Sequence, residues 1–554
     1  MDTKKPVDPE VNRRDFLKTG ATAGLGAGAL AMLGVEEAAA QSAAPRRWDV
    51  TADFVTIGAG VSGLAAAVSA LEHGATVVMV DENFDIGGHG MVSGGIVHLG
   101  GGTSRQKKHG VEDSADQVFL DWVRHDHLES RYSDRELVRA FADENVATFE
   151  FLIRNGVQFL DESRGPEAAS TVARQGATVQ WPIKSELITS VPSRRGSGLV
   201  RALEKTARAK GARILLRHKM TSIVRETPSS GRVLGILATY EGKTVSIRGT
   251  KGVLVATGGH SSNVTFRRIF DPRRTEEYQV AGEPYSRQTG DGEIAAMAVG
   301  ASLWGTANQT IEAGMHMDKT AHIGCRWGYS SLHWQPDSPI FDRVRASGLT
   351  RVNWQNAILV NQAGKRFWNE MDDSHAFFAA AMAYSGNSTK VNGGGPIWAV
   401  FDHDAVVRQE WDPRPPHVDP EYFFSADTVA ELARRIANPY QTRPMPAGVL
   451  QETVARYNSF VDSGADADFN KPTPRYKIQT PPFYAAWSTP IIHDTLTGLR
   501  TNAKAQVIDV RGEVIPGLYC AGESQGGFAQ HGLGRATVFG RIAGREAALN
   551  GART

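Results

Sequence analysis

Phe54-Val55-Thr56-Ile57 is a short, largely apolar run of the kind that a buried parallel strand requires, and it stops at Gly58. Val61 to Leu71 is rich in Ala and Leu and predicts a helix packed on a sheet. Gly74 ends it, and Ala75 to Val80 reads as a second strand. Apolar and charged residues then alternate at helical spacing from Ser114 to Asn155, with Ser133-Asp134-Arg135-Glu136 as a helix start. Gly196-Ser197-Gly198-Leu199 opens another helix, and Arg213 to Leu216 predicts a strand. Val233 to Tyr240 and Thr244 to Arg248 predict two strands flanking a Glu241-Gly242 turn. Lys251 to Gly259 predicts a return to the first sheet. From about 300 to 490 the chain is rich in Trp, Pro and Asn and carries no nucleotide motif, which predicts an inserted cap. No internal repeat is visible.

The first strand, its turn and its helix carry a specific chemistry. In Gly58-Ala59-Gly60-Val61-Ser62-Gly63, Gly58 permits the tight turn and Gly60 lets the backbone approach a pyrophosphate. Gly63 lets the helix lie close on the strand. The helix N-terminus offers free N–H groups and the positive end of its dipole to a phosphate. Asp81 follows the second strand, where an acid accepts hydrogen bonds from ribose hydroxyls. A second cluster, Gly517-Leu518-Tyr519-Cys520-Ala521-Gly522-Glu523, comes more than four hundred residues later. The two together predict an α/β fold with a Rossmann-type sheet closed around one dinucleotide.

Length and composition narrow the class. A chain of 554 residues is too long for one core. The formal charge of +1 gives no reason to expect nucleic acid or an anionic membrane as partner. Cys325 and Cys520 are the only cysteines, which excludes a disulfide framework, a thiol-ligated metal cluster and a CxxCH haem site. No His/Asp/Glu spacing suggests a metal. Asn12-Arg13-Arg14-Asp15-Phe16-Leu17-Lys18 precedes a weakly apolar stretch from Thr19 to Gly34 and small residues at Ala38-Ala39-Ala40. This resembles a twin-arginine export signal, with Gln41 as the new N-terminus, and predicts a periplasmic protein. No other apolar run is long enough to span a bilayer.

The order of these motifs resembles the fumarate reductase/succinate dehydrogenase flavoprotein superfamily. It runs through Gly87-Gly88-His89-Gly90-Met91-Val92-Ser93-Gly94-Gly95, Ala256-Thr257-Gly258-Gly259, Thr289-Gly290-Asp291-Gly292 and Gly364-Lys365-Arg366-Phe367-Trp368-Asn369-Glu370. It ends with Gly517 to Glu523 and Phe539 to Gly544. The pattern is most similar to soluble single-chain members, including tricarballylate dehydrogenase-like proteins and 3-ketosteroid dehydrogenases. The resemblance implies a signal segment at 1–40, an FAD-binding domain at 41–300 and 491–554, and an α+β cap at 301–490. It also implies FAD contacts from Gly58, Gly60, Ser62, Gly63, Asp81, Gly88, Ser93, Gly94, Gly95, Ala256, Thr257, Gly258, Asp291 and Glu523. Ala536-Thr537-Val538 would open the last helix, with Thr537 and Val538 at the flavin's pyrimidine edge. His89 stands one residue short of the position where respiratory relatives attach FAD covalently, so FAD is expected to be non-covalent. Electrons would come from or leave to a separate cytochrome or quinone-linked protein.

Departures from the family pattern define the expected chemistry. The place of the catalytic arginine in fumarate reductases falls at Ser374, leaving His375 and Asp373 as the nearest titratable groups. His375 suits acid–base work or a helix cap equally. The substrate-clamping arginine falls near His531, with Arg535 closer to the flavin. His493, in His493-Asp494-Thr495-Leu496-Thr497-Gly498, matches a histidine that binds substrate oxygen, and Tyr484 is a weaker pocket candidate. No His-Pro-Thr motif occurs near Asn308-Gln309-Thr310. What this implies is a hydride exchanged between flavin and a C–C or C=C bond beside the carbonyl of an uncharged cyclic or aromatic ketone. His375, His493 or His531 would handle the proton, and Trp304, Trp327, Trp334, Trp354 and Trp368 would lie in or near the cap. Two alternatives stand beside it: a reductase of an unsaturated carboxylic acid with Arg535 and Arg500 as clamps, and a flavin electron carrier.

Overall fold

The computed structural model describes residues 44–551 apart from 125, 127–129, 131–132, 163, 167–168, 182–194, 306–314, 330–339, 351, 374, 383–394 and 531. The export-signal segment, Trp334, Ser374, His531 and Asn308-Gln309-Thr310 therefore lie outside the described residues.

Strand β1 (Val50–Ile57), helix α1 (Val61–Glu72) and strand β2 (Val77–Asp81) form the parallel unit read from the motif, with Phe54 paired to Val77 and Ile57 to Val80. Helix α2 (Arg135–Arg154) is capped by the Asp134 carboxylate, which accepts from Leu137 N–H, and helix α3 (Gly196–Ala209) follows. Strand β3 (Arg213–Leu216) extends the sheet beyond β2. Strands β4 (Lys219–Arg225), β5 (Val233–Tyr240) and β6 (Lys243–Val255) make antiparallel hairpins, and β6 pairs parallel with β1 from Ile247 to Val255. The two segments expected as separate strands around Gly249 to Gly252 are one 13-residue strand. Those glycines act as a site of close backbone approach, not a break: a Cβ on Gly249 would lie 2.6 Å from Gly252 O.

Helix α4 (Asp291–Ala298) leads out of the sheet. Strand β7 (Met315–Asp318) comes next, then β8 (Ile358–Asn361), helix α5 (His375–Met382), β9 (Ile397–Phe401), β10 (Phe423–Ala426) and β11 (Phe483–Trp487). Strands β8 to β11 form a four-stranded antiparallel sheet in the order β8-β9-β11-β10. Both faces of it are buried: Ala399 and Phe401 pack on one side, Trp398 and Val400 on the other. Strand β12 (Ile491–Thr495) pairs with β7. Strands β13 (Gln506–Ile508) and β14 (Val514–Cys520) return to the first sheet, whose order is β13-β14-β6-β1-β2-β3 with β4 and β5 branching from β6.

Helix α6 (Leu533–Asn550) closes the fold against α1. It starts three positions earlier than expected, with Gly532 at its N-cap, so Arg535 falls in its first turn. The two helices meet through small residues. A Cβ on Gly540 would lie 2.3 Å from Ser62 O, and one on Gly544 would lie 2.1 Å from Ala66 O. Ser69 Oγ donates to Arg541 O across the same seam.

Beneath the four-stranded sheet, Arg366 grips Glu370 with two bonds of 2.7 and 2.8 Å and donates to Asp466 at 2.8 Å. Lys471 Nζ lies 3.3 Å from Glu370, with all four groups buried. The Gly364-to-Glu370 motif is thus a charged anchor for the segment that leads to α5.

Candidate active site

A cavity of about 850 Å³ opens at the carboxyl ends of β1, β2 and β6, at the upper end of the roughly 300–1,000 Å³ common for small-molecule sites. Gly58 sits at φ +103°, and a Cβ there would lie 2.2 Å from Ala256 O. Only glycine fits where the turn presses against the end of β6. Gly63 is turned away from the cavity: its Cβ would meet Gly58 O at 2.1 Å, so it serves the helix–strand contact. Between them the N-terminus of α1 faces the cavity through Gly60, Val61 and Ser62. At one end, Asp81 Oδ2 accepts from Ala59 N–H at 2.8 Å and Oδ1 from Asn83 N–H at 2.9 Å. Burial pushes its pKa up to about 6, against the pull of those two donors.

The other end is built around Glu523, in the short turn after β14. Gln288 Nε2 donates to it at 2.9 Å and Thr495 N–H at 3.2 Å, and His89 Nδ1 lies 3.3 Å away. The His89 ring lies edge-on to His493 and to Tyr329, with centroids 5.7 and 5.9 Å apart. Tyr329 Oη stands 3.2 Å from His493 Nε2. His493 Nδ1 is 3.3 Å from Asp494 Oδ2, and the Asp494 side chain is 2% exposed. Behind this wall Arg535 is wholly buried, donating to Phe528 O at 2.5 Å and Thr495 O at 3.1 Å. Burial lowers its pKa, opposed by Glu523 and Asp494. Two carboxylates therefore face one guanidinium across this wall.

The cavity brings together Gly58, Gly60, Ser62, Asp81, Gly88, Ser93, Gly94, Gly95, Ala256, Thr257, Gly258, Asp291, Glu523 and His493. Asp291 also pairs with Lys219 at 3.0 Å. Among the described residues, Gly63, Thr537, Val538, Tyr484, Arg500 and Arg535 do not line it. Thr537 hydroxyl donates back to Leu533 O one turn earlier, Val538 is buried, and Ala536 takes the lining position instead. Tyr484 stacks on Phe401 inside the four-stranded sheet, and Arg500 lies over Trp304 at 4.7 Å. His375 is the first residue of α5, and Asp373 beside it pairs with Lys319 at 2.7 Å. Tyr329, Gln288, Arg287 and Arg343 line the cavity without having stood out in the sequence. Tyr329 lies in a Gly- and Trp-rich stretch with no periodicity, and Gln288 and His89 reach Glu523 only through contacts across more than 200 residues.

A glycine-walled crevice at the carboxyl ends of parallel strands, with a helix N-terminus at its middle and an acid at the end of β2, defines a dinucleotide-binding enzyme of the open α/β class. The chain belongs to the FAD binding domain family, which matches residues 53–535. It is 28% identical over 523 residues to the urocanate reductase of Eggerthella lenta, covering 91% of this chain and 76% of that one. It is 27% identical over 508 residues to a probable fumarate reductase of Shewanella frigidimarina, covering 90% and 75%. Among solved structures it resembles the 3-ketosteroid-Δ4-(5α)-dehydrogenase of Rhodococcus jostii RHA1 in complex with 4-androstene-3,17-dione. That match has 25% identity, covers 91% and 98% of the two chains and gives a TM-score of 0.59. FAD is the cofactor, and the protein is an FAD-dependent oxidoreductase acting on CH–CH or C=C bonds. No helix among the described residues is long and apolar enough to cross a membrane.

Proposed function

We propose that this enzyme reduces or desaturates a C–C bond beside the carbonyl of an uncharged substrate, a cyclic or aromatic ketone. The observation that carries this reading is the wall next to Glu523. Tyr329, His89 and His493 form it, whereas Arg535 is withdrawn onto backbone carbonyls and Arg500 onto Trp304. A tyrosine hydroxyl and an imidazole polarise a ketone oxygen without needing a charged partner. When bound, FAD supplies a two-electron hydride carrier at its ring. The Gly58-to-Gly63 turn and the α1 N-terminus would hold its pyrophosphate, Asp81 its ribose, and Glu523 the chain leading to the ring. Binding is non-covalent in this reading, because His89 already has Glu523 and Gln288 as partners. His493 is the candidate histidine that the geometry puts beside a buried acid, and it would manage the proton.

A second reading, an unsaturated carboxylic acid as substrate, is favoured by Arg287 and Arg343, two exposed guanidiniums on the cavity's rim. We further take the arginine pair at 13–14 and the small residues at 38–40 as an export signal to the periplasm, where a cytochrome or quinone-linked protein would exchange electrons with the flavin.

The test is anaerobic flavin absorbance. Chemically reduced holoprotein is mixed with cyclic enones and, separately, with unsaturated acids. Reoxidation by enones alone is expected. Reoxidation by acids alone refutes the ketone reading and assigns the rim arginines as the clamp. Reoxidation by neither, together with no reduction of the oxidised protein by saturated ketones, refutes both in favour of an electron carrier.

A further inference from the structure

We infer that Tyr329 is the catalytic residue that exchanges a proton with the substrate, with His493 and Asp494 aligned behind it as its relay. The inference rests on the reading of this cavity as a site for redox chemistry beside a carbonyl. It places the acid–base group at neither of the positions that the family resemblance marks, near Ser374 and near His531.

Strand geometry shows how the relay is built. In the β7–β12 pair, His316 opposes Asp494 and Met317 opposes Ile492, so His493 is the extra residue of a β-bulge. Side chains alternate along a regular strand, and a bulge re-aims the residue that it carries. Here it lets neighbours in sequence act together: Asp494 stays buried while His493, with its side chain 21% exposed, reaches the cavity. His493 Nδ1 meets Asp494 Oδ2 at 3.3 Å and its Nε2 meets Tyr329 Oη at 3.2 Å. The Nδ1–Asp494 contact is an ion-pair distance without hydrogen-bond geometry, and with its proton on Nδ1 the ring leaves Nε2 to accept from the phenol. Tyr329 thus stands at the cavity side with an acid–base pair behind it.

The surrounding charges favour proton passage. Tyr329 faces His493 and the edge of His89, and Arg343 lines the same cavity. His493 faces Asp494 and His89. His89 faces Glu523 and Gln288, and Arg535 lies behind both carboxylates. Asp494 and Glu523 face the single buried guanidinium of Arg535, so a positive charge passing through His493 has carboxylates beside it. In the reductive direction, one carbon of the C=C bond accepts the hydride that reduced FAD supplies. Its α-neighbour takes the proton from Tyr329 Oη. His493 Nε2, an acceptor in this tautomer, then takes a proton from solvent at the cavity mouth and hands it to the phenolate, which restores both groups. The oxidative direction reverses each transfer, with oxidised FAD accepting the hydride.

The test uses the holoenzyme and its Tyr329→Phe, His493→Gln and Asp494→Asn variants, in two measurements. The first is deuterium wash-in from heavy water at the α-carbon of a saturated cyclic ketone, alongside kcat and KM. Tyr329→Phe should lose about 100-fold or more in exchange and kcat, the usual worth of a positioned acid or base, with the flavin spectrum retained and KM changed only a few-fold. Retention of exchange within threefold overturns the inference. If the wild-type enzyme acts only on unsaturated acids, the ketone reading fails by itself. The same variants are then read on deuterium delivery to the acid's α-carbon, with the same threshold.

The second measurement needs no substrate: fluorine NMR of holoenzyme carrying 3-fluorotyrosine, with the Tyr329 signal assigned by its loss in Tyr329→Phe. That signal should shift as His493 titrates, and the shift should vanish in His493→Gln and move in pH in Asp494→Asn. A Tyr329 signal indifferent to both substitutions overturns the relay, whatever the substrate.

Discussion

Replacing Glu370 with Gln keeps shape and volume but removes one negative charge from a cluster of four buried groups. In the wild type two cations, Arg366 and Lys471, face two anions, Glu370 and Asp466. The variant leaves one positive charge in excess at a site with no access to water. Breaking a buried pair from one side costs about 3–5 kcal/mol. The lower figure is the better estimate here, because Arg366 keeps Asp466 and Lys471 keeps the carbonyls of Trp354 and Ala357. About 3 kcal/mol corresponds to a factor of roughly 150 in the folded-to-unfolded ratio. The pH dependence supplies a second check. Burial alone pushes the Glu370 pKa up, but Lys471 and Arg366 outweigh it and hold it below the ordinary value. A carboxylate with a depressed folded pKa contributes its stability above the unfolded value and loses it as pH falls through the folded one. The gap between wild type and Glu370→Gln should therefore be full at neutral pH and close on acidification below about pH 4. Urea unfolding of the holoprotein, followed by tryptophan fluorescence at pH 7.5 and at lower pH, measures both. A neutral-pH change under about 0.5 kcal/mol, the size of an ordinary surface substitution, refutes the reasoning. So does a gap that widens in acid.

Other substitutions probe the cofactor site. Gly544→Val puts a side chain where a Cβ alone would lie 2.1 Å from Ala66 O. It should cost about 1–3 kcal/mol and loosen FAD, seen as flavin lost on gel filtration; full retention with an unchanged melting temperature argues against a tight seam. Asp81, with its pKa raised to about 6, favours the folded state most below its unfolded pKa and loses that contribution as pH rises through 6. Flavin-free Asp81→Asn should therefore gain stability over wild type as pH rises from 4 to 7 while binding FAD more weakly, checked by thermal melts and flavin titration. Arg535→Met frees the carbonyls of Phe528 and Thr495 and leaves Glu523 and Asp494 without their shared cation. FAD affinity and turnover should both fall, and a variant that loses neither shows that this guanidinium does not organise β12.

Much of the dinucleotide sheet was legible because its signals are local. The run before Gly58, the glycine spacing after it and the acid after β2 lie within one supersecondary unit. Arg213–Leu216 and Val233–Tyr240 were bounded to the residue by the same kind of pattern. The site at the far end of the cavity was only partly legible. Glu523 and His493 stood in recognisable motifs, but Gln288 is 235 residues from Glu523, and Tyr329 is 164 from His493. Nothing in the local pattern of either announces the meeting. Arg535 misleads for a physical reason: an arginine among glycines near a cofactor reads as a substrate clamp. Its burial and its two carbonyl partners follow from α6 starting at Leu533, a shift of three residues that carries it to the helix's inner side.

The seam between α1 and α6 joins residues 472 positions apart, as Ser69 and Arg541 show. At synthesis rates of about 5–20 residues per second, the first nucleotide-binding element waits roughly 25–95 s for the helix that covers it. Throughout that interval the small-residue face of α1 and the flank of β1 reserved for β6 have either no partner or only some of their partners. Nascent chains are therefore exposed to edge-on association for longer than the early motif would suggest. FAD capture becomes an event that waits for α6, so holoprotein yield should depend more on the docking of that helix than on flavin supply during the synthesis of α1.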